Sequence, residues 1–282
     1  MSRLTTTNHD RDSAGMTYVY PVVSRRAKGV SVGINLNPNN ACNWRCVYCQ
    51  VPDLVRGKAP PIDLEQLREE LNALLADVVE GDFMTRQVPE GSRRLNDVAF
   101  SGNGEPTTSP EFPAALEVVA EALERFELLG QIKVVLISNG SMHGQARVQE
   151  ALSRLAELNG EVWFKLDSAT QEGLAATNSV GMDPADHLAR LRECARRCPT
   201  WIQTCLFSRG GEPPREAELS AYLEALRELV ADEVPLRGVL LYSLARQSYQ
   251  PEASELGRLE QSWLEGFAAR IEALGLEVRA SA

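Results

Sequence analysis

Short apolar runs alternate with helix-period segments from Val30 to the end of the chain, and few folds accept that alternation. Strand-like runs separated by amphipathic helices are the pattern of βα units built on a parallel sheet. The runs Val30–Asn35, Asp97–Ser101, Ile132–Ser138, Glu161–Asp167, Trp201–Phe207 and Gly238–Ser243 read as strands, and a short last one reads over Glu277–Ser281. Between them the periodicity predicts helices over Asp63–Glu80, Pro110–Leu128, Gln145–Leu158, Asp183–Arg197, Arg215–Val230 and Gly257–Leu274, several opened by Asp or Pro as helix starts require. Six such units predict an α/β fold of the partial (β/α)6, TIM-like barrel type. A chain of 282 residues is long enough to bury a core of that size. The expected organisation is one domain over residues 16–282 behind a polar, disordered tail over residues 1–15, with an inserted polar loop at Gly81–Asn96.

Between the first strand and the first helix lies Ala-Cys-Asn-Trp-Arg-Cys-Val-Tyr-Cys-Gln, which spaces Cys42, Cys46 and Cys49 as C-x3-C-x2-C. Cubane iron–sulfur clusters are held by cysteine thiolates and usually take four. Three on one short loop therefore leave one iron free to bind a small molecule. A structural zinc site would ask for a fourth Cys or His at regular spacing, and a disulfide for an oxidising compartment. His9 stands in the polar tail, and His143 and His187 are far downstream. No apolar stretch approaches a membrane span and the N-terminal run lacks the apolar region of a signal peptide, so the expectation is a cytoplasmic protein with reduced thiols. A net charge of −10 opposes non-specific nucleic-acid binding, which relies on many Lys and Arg contacts to phosphate.

In a parallel barrel, ligand-binding groups sit at the C-terminal ends of the strands. The second predicted strand ends in Ser101-Gly102-Asn103-Gly104-Glu105-Pro106, where glycines permit close backbone approach and Glu105 offers an acceptor for an ammonium; the alternative is a capped Gly-rich turn. The third ends in Ile137-Ser138-Asn139-Gly140, whose polar groups suit a ligand or a helix cap. Lys165 and Asp167 alternate on the fourth strand and share a face. A Lys–Asp pair inside a barrel either binds something or is a satisfied buried ion pair. On the fifth strand Trp201, Gln203, Cys205 and Phe207 share a face, and Gln203 there is a polar handle. Arg246, beyond the sixth, is placed to reach a ligand or to stay solvated. Lys165, Asp167 and Cys205 are the candidate catalytic residues. Cys194, Cys198 and Cys205 suggest a second cluster or, more simply, buried free thiols.

The triplet with Tyr48 before its third cysteine, followed by the Gly-rich segment ending in Glu105, resembles the radical S-adenosylmethionine (SAM) superfamily. Within it the set Ser24-Arg25-Arg26, Gly33-Ile34-Asn35, Phe100 to Thr107, Ile137 to Gly140 and Lys165-Leu166-Asp167 resembles the branch that includes the wybutosine-synthesising tRNA enzymes, although those carry further N-terminal cysteines and this chain has none before Cys42. The resemblance implies a [4Fe–4S] cluster held by Cys42, Cys46 and Cys49. It implies SAM bound through Tyr48, Gly102, Asn103, Gly104, Glu105, Ser138 and Asn139, and an electron donor such as a flavodoxin or ferredoxin; Gln203, from the strand alternation, is the further candidate SAM contact. One electron would cleave SAM to methionine and a 5′-deoxyadenosyl radical, which abstracts hydrogen from the substrate. The expected substrate is a small molecule or nucleoside. A protein or peptide, as for an activase, and a tRNA base are the alternatives, and a non-catalytic metal-binding protein the remote one.

Overall fold

A computed structural model describes Leu4, residues 15–24 and residues 29–282. The tail expected over residues 1–15 lies outside the described residues except for Leu4 and Gly15, as do Arg25 and Arg26. Leu4 itself is buried and its N–H donates to the Gln87 carbonyl at 2.9 Å.

The chain divides into two compact units whose segments interleave along the sequence, so neither is one contiguous stretch. The first comprises Met1–Asn43, Gly57–Ile137 and Gln145–Glu161; the second comprises Trp44–Arg56, Ser138–Gly144 and Val162–Ala282.

In the first unit strands β1 (Val19–Ser24), β2 (Gly29–Ile34), β3 (Leu95–Phe100) and β4 (Lys133–Ser138) are neighbours in that order. β1 pairs antiparallel with β2, while β2–β3 and β3–β4 are parallel. β1 contains Pro21, which cannot donate to a ladder, and it occupies the edge of the sheet where that omission is tolerated. Helices α1 (Leu64–Val79), α3 (Phe112–Arg125) and α4 (Ala146–Glu157) bury apolar stripes, among them Leu67, Leu71, Leu75, Leu116, Leu123 and Leu152. Asp63 caps α1 by accepting the Glu65 and Gln66 N–H groups at 3.0 and 3.1 Å. The segment read as a polar loop contains a short helix, α2 (Phe83–Gln87), which anchors the loop through the fully buried Phe83.

In the second unit β5 (Gly160–Lys165), β6 (Thr200–Cys205), β7 (Leu236–Tyr242) and β8 (Val278–Ser281) follow in order, all parallel where paired. Helices α6 (Pro184–Arg197), α7 (Glu216–Ala231) and α8 (Gln261–Glu272) match their predicted positions, though α8 begins later because Leu256–Gly257 pairs with Ser208–Arg209 instead. A further helix, α5 (Gln171–Asn178), was not predicted. Thr170 caps it by accepting the Gly173 N–H at 2.9 Å, and Ser179 ends it in the left-handed region at φ +56°. Among the described residues no helix is long and apolar enough to cross a membrane.

The second unit also buries two histidines in ring contact with Phe164, with ring centroids 5.5 Å (His143) and 4.9 Å (His187) from it. Burial, reinforced by positive neighbours, lowers His143 to about 3. It also lowers His187 to about 4, against a backbone hydrogen bond that raises it. Both rings are neutral in the fold at neutral pH, while an unfolded chain protonates them near 6.5. The stability they support is complete above pH 6.5 and is lost as pH falls toward 4, at roughly 1.4 kcal/mol per pH unit for each ring. Urea denaturation at pH 7, 6 and 5 should show that decline, and His143→Phe/His187→Phe should flatten it; equal slopes would locate the acid sensitivity elsewhere.

Candidate active site

The chain passes from the first unit to the second between Asn43 and Trp44, inside the cysteine motif, and each unit carries its own share of the predicted site. None of the three motif cysteines is in a disulfide, and all three are half-buried.

In the first unit the Gly-rich segment follows β3 directly. Its glycines serve close approach to the chain itself. A Cβ on Gly104 would stand 2.1 Å from the Ala41 carbonyl oxygen and 2.7 Å from the Asn37 amide, and Gly102 (φ +150°) sits equally tight on Asn35. Asn103 is fixed through its N–H to Asn35 Oδ1 at 3.1 Å and its Nδ2 to Asn40 Oδ1 at 2.6 Å. Glu105 is buried, and its Oε1 accepts the Thr107 N–H and hydroxyl at 3.1 and 2.5 Å, capping the 3-10 turn Pro106–Thr108. The capped-turn alternative thus describes Oε1. The approach to Cys42 is held from its own side, where Asn37 Nδ2 donates to the Ala41 carbonyl at 2.9 Å.

The second unit holds Cys46, Cys49 and most of the polar groups. Cys49 N–H closes a turn on the Cys46 carbonyl at 2.9 Å. The Ser248 hydroxyl reaches the Val47 carbonyl at 2.8 Å and the Cys49 carbonyl at 3.1 Å, and Arg45 forms a two-pronged ion pair with Glu252 at 2.8 Å. Arg246, expected at a ligand or in solvent, instead donates to Gln50 Oε1 at 2.9 Å. Two more bonds tie the loop to the end of α5, from Arg45 N–H to the Asn178 carbonyl at 3.1 Å and from Val47 N–H to the Thr177 carbonyl at 2.9 Å.

Lys165 and Asp167 do share a face, and Tyr48 joins them. Lys165 Nζ lies 2.5 Å from the Tyr48 hydroxyl, which donates to Asp167 Oδ2 at 2.5 Å, while the direct Nζ–Oδ2 separation is 3.7 Å. Asp167 also accepts the Cys205 N–H at 2.9 Å and the Asn178 amide at 2.7 Å. The satisfied ion pair is therefore what the fold builds, with a hydroxyl as its centre. Burial pulls the Lys165 ammonium down, yet Asp167 and the neighbouring Tyr242, Cys46 and Cys205 outweigh it and hold it above the usual lysine value. Burial raises the Tyr48 phenol well above its ordinary value, and Asp167 adds to that. Burial pushes the Cys46 thiol up to about 11, with Lys165 and Asn178 pulling against it and Asp167 with it. A metal that takes Cys46 must displace its proton.

Cys205 packs against Val47 and Tyr48, with Tyr242 alongside and Phe207, its expected face-mate, beside it. Gln203 is buried on the same face, in register with Lys165 on β5 and Leu240 on β7. Ser138 and Asn139 are buried in a tight turn, Ser138 Oγ accepting the Gly140 N–H at 3.0 Å and Asn139 Oδ1 the Ser141 N–H at 3.0 Å; Ser138 also meets His143 Nε2 at 3.0 Å. Cys194 and Cys198 belong to the end of α6, where Cys194 contacts the Thr200 hydroxyl at 3.4 Å. Both are buried, and packing accounts for them.

Among the described residues no three His, Cys, Asp or Glu side chains converge as they would on a single metal ion. A cubane offers its irons at separate corners, so its thiolates need not converge on one point. Three cysteines outside any disulfide on one short loop and a buried amide aimed at one of them suit a cluster; the absence of a fourth protein ligand at regular spacing does not suit structural zinc. A cavity of about 350 Å³ opens beside this network, bordered by Asp167, Ser168, Cys205, Phe207, Tyr222 and Phe267.

Comparison with known proteins gives matches at three levels. A family model described as the Radical SAM superfamily matches residues 36–218, more than half of the chain. The UPF0026 protein of Helicobacter pylori is 32% identical over 134 residues, which are 47% of this chain and 37% of that protein, so the chain spans little more than a third of its length. Among solved structures, a radical SAM methyltransferase from Sphaerobacter thermophilus matches with TM-score 0.58 and 14% identity over 93% of this chain and 68% of that one. TYW1 with a lysine–pyruvate adduct bound matches with TM-score 0.56 and 15% identity over 86% and 73%. At such identities the likeness is one of fold, an α/β partial barrel on a mostly parallel sheet.

Proposed function

The chain belongs to the radical SAM superfamily, and from that premise we propose that it is an enzyme acting on a small molecule or nucleoside. When bound, the [4Fe–4S] cluster and SAM of this superfamily supply a 5′-deoxyadenosyl radical for hydrogen abstraction. Cys42, Cys46 and Cys49 would hold the cluster. Gly102, Asn103, Gly104 and Glu105, with Tyr48, Ser138, Asn139 and Gln203, would bind and orient SAM. Lys165, Tyr48 and Asp167 form a buried chain that holds a proton at Lys165 Nζ, with the Tyr48 hydroxyl donating to Asp167 Oδ2.

The observation that carries the substrate class is the cavity beside Asp167 and Cys205. Its volume of about 350 Å³ falls in the range of small-molecule pockets. The acidic balance further disfavours a tRNA substrate.

Anaerobically reconstituted, reduced protein should release 5′-deoxyadenosine slowly from SAM alone. A low-molecular-mass metabolite fraction should accelerate the release, while tRNA and protein fractions leave it unchanged. Acceleration by tRNA or by the protein fraction alone would replace this reading with the corresponding alternative.

A further inference from the structure

Asn178, the last residue of α5, is fully buried 132 positions from Cys46 in sequence, and its side-chain amide reaches the cysteine loop. Nδ2 donates to Cys46 Sγ at 3.2 Å and to Asp167 Oδ2 at 2.7 Å. Those two acceptors fix which end of the amide faces the sulfur. Turned over, it would press a carbonyl oxygen against a carboxylate and a sulfur, and each would lose the donor it has in Nδ2. The fold accepts a cost for this orientation, because Asn178 Oδ1 is buried with no hydrogen-bond partner. The backbone adds a second restraint through the bonds from Arg45 and Val47 to the Asn178 and Thr177 carbonyls. Helix α5 therefore does two things at its end: it holds the loop in place and points one N–H at one sulfur.

Resting on the assignment of Cys46 as a cluster ligand, we propose that Asn178 is a positioning residue whose amide donates to the Cys46 thiolate of the loaded cluster and raises the cluster's reduction potential. A reduced cluster carries one more negative charge on its irons and sulfurs. A hydrogen bond to a ligand sulfur is stronger in that state, and so favours reduction.

The test is a potentiometric titration followed by electron paramagnetic resonance, on reconstituted full-length protein and its Asn178→Leu variant, with iron counted in each. Iron content should be unchanged. The ratio of reduced to oxidised cluster at a fixed potential should fall about tenfold in the variant, a shift of about 59 mV to more negative values for one electron. Asn178→Ser should show the same direction, which keeps the comparison available if leucine disturbs folding. In wild-type protein grown on ¹⁵N-amide asparagine, electron–nuclear double resonance of the reduced cluster should show coupling to an exchangeable proton and to that nitrogen. Iron loading with unchanged potential and no such coupling overturns the role of Asn178 and leaves the cluster assignment standing. Wild-type protein that loads no iron overturns both.

Discussion

Replacing Cys42, Cys46 or Cys49 by Ala is expected to abolish iron binding and with it all cleavage of SAM. A cubane site draws on a small set of thiolates, and this loop offers three. Loss of one removes a charged ligand of the loop: Cys194 and Cys198 are buried at the end of α6, and Cys205, although packed against Val47 and Tyr48, is buried on β6 and held there by the strand. Wild-type protein should carry about four iron and four sulfide per chain, with visible charge-transfer absorption. Each single variant should lose essentially all of it, while Cys194→Ala/Cys198→Ala keeps it. Stoichiometric zinc with no visible absorption in the wild type would return the loop to a structural metal site.

The largest effect on stability should come from Asp167. Its carboxylate accepts three hydrogen bonds and faces Lys165, whose side chain is 15% exposed while that of Asp167 is 0%. Asp167→Ala leaves an ammonium, a phenol and two N–H donors without their common acceptor. Breaking a buried pair in this way costs about 3–5 kcal/mol. Asp167→Asn should cost less, because it restores an acceptor for the Cys205 N–H, and adding Lys165→Met to it should recover much of the remainder. Urea denaturation of the two single variants and the double variant measures the coupling. Additive losses would mean that Lys165 and Asp167 do not act as a pair.

The alternation of strands and helices was legible because each βα unit writes its own period, and the observed bounds differ from the expected ones mostly by one to three residues. What escaped has local reasons. Pro21 interrupts the apolar run of β1, and a proline inside a run argues against a strand unless the edge position is known. Helix α5 has eight residues with Gly173 among them, too short and too weak a signal to outweigh a loop, although Thr170 was an available cap. Losing α5 meant losing Asn178. The Lys165–Asp167 alternation was readable within one strand, but the hydroxyl between them comes from 117 residues away. No spacing rule connects Tyr48 to β5. Likewise Gly104 was recognised as a place of close approach, while only the fold reveals that what approaches is the Ala41 carbonyl.

The phenol lodged between Lys165 and Asp167 ties one position of the cysteine loop to two neighbouring positions more than a hundred residues downstream. A chain that exchanges Tyr48 for Phe keeps the aromatic ring but removes the hydroxyl that bridges an ammonium and a carboxylate 3.7 Å apart. Such a chain should carry compensating changes at both strand positions. In an alignment of relatives these three columns should therefore vary together: tyrosine with the lysine and aspartate, phenylalanine with an uncharged couple. The residue before the third cysteine then predicts the chemistry of a strand more than a hundred positions downstream.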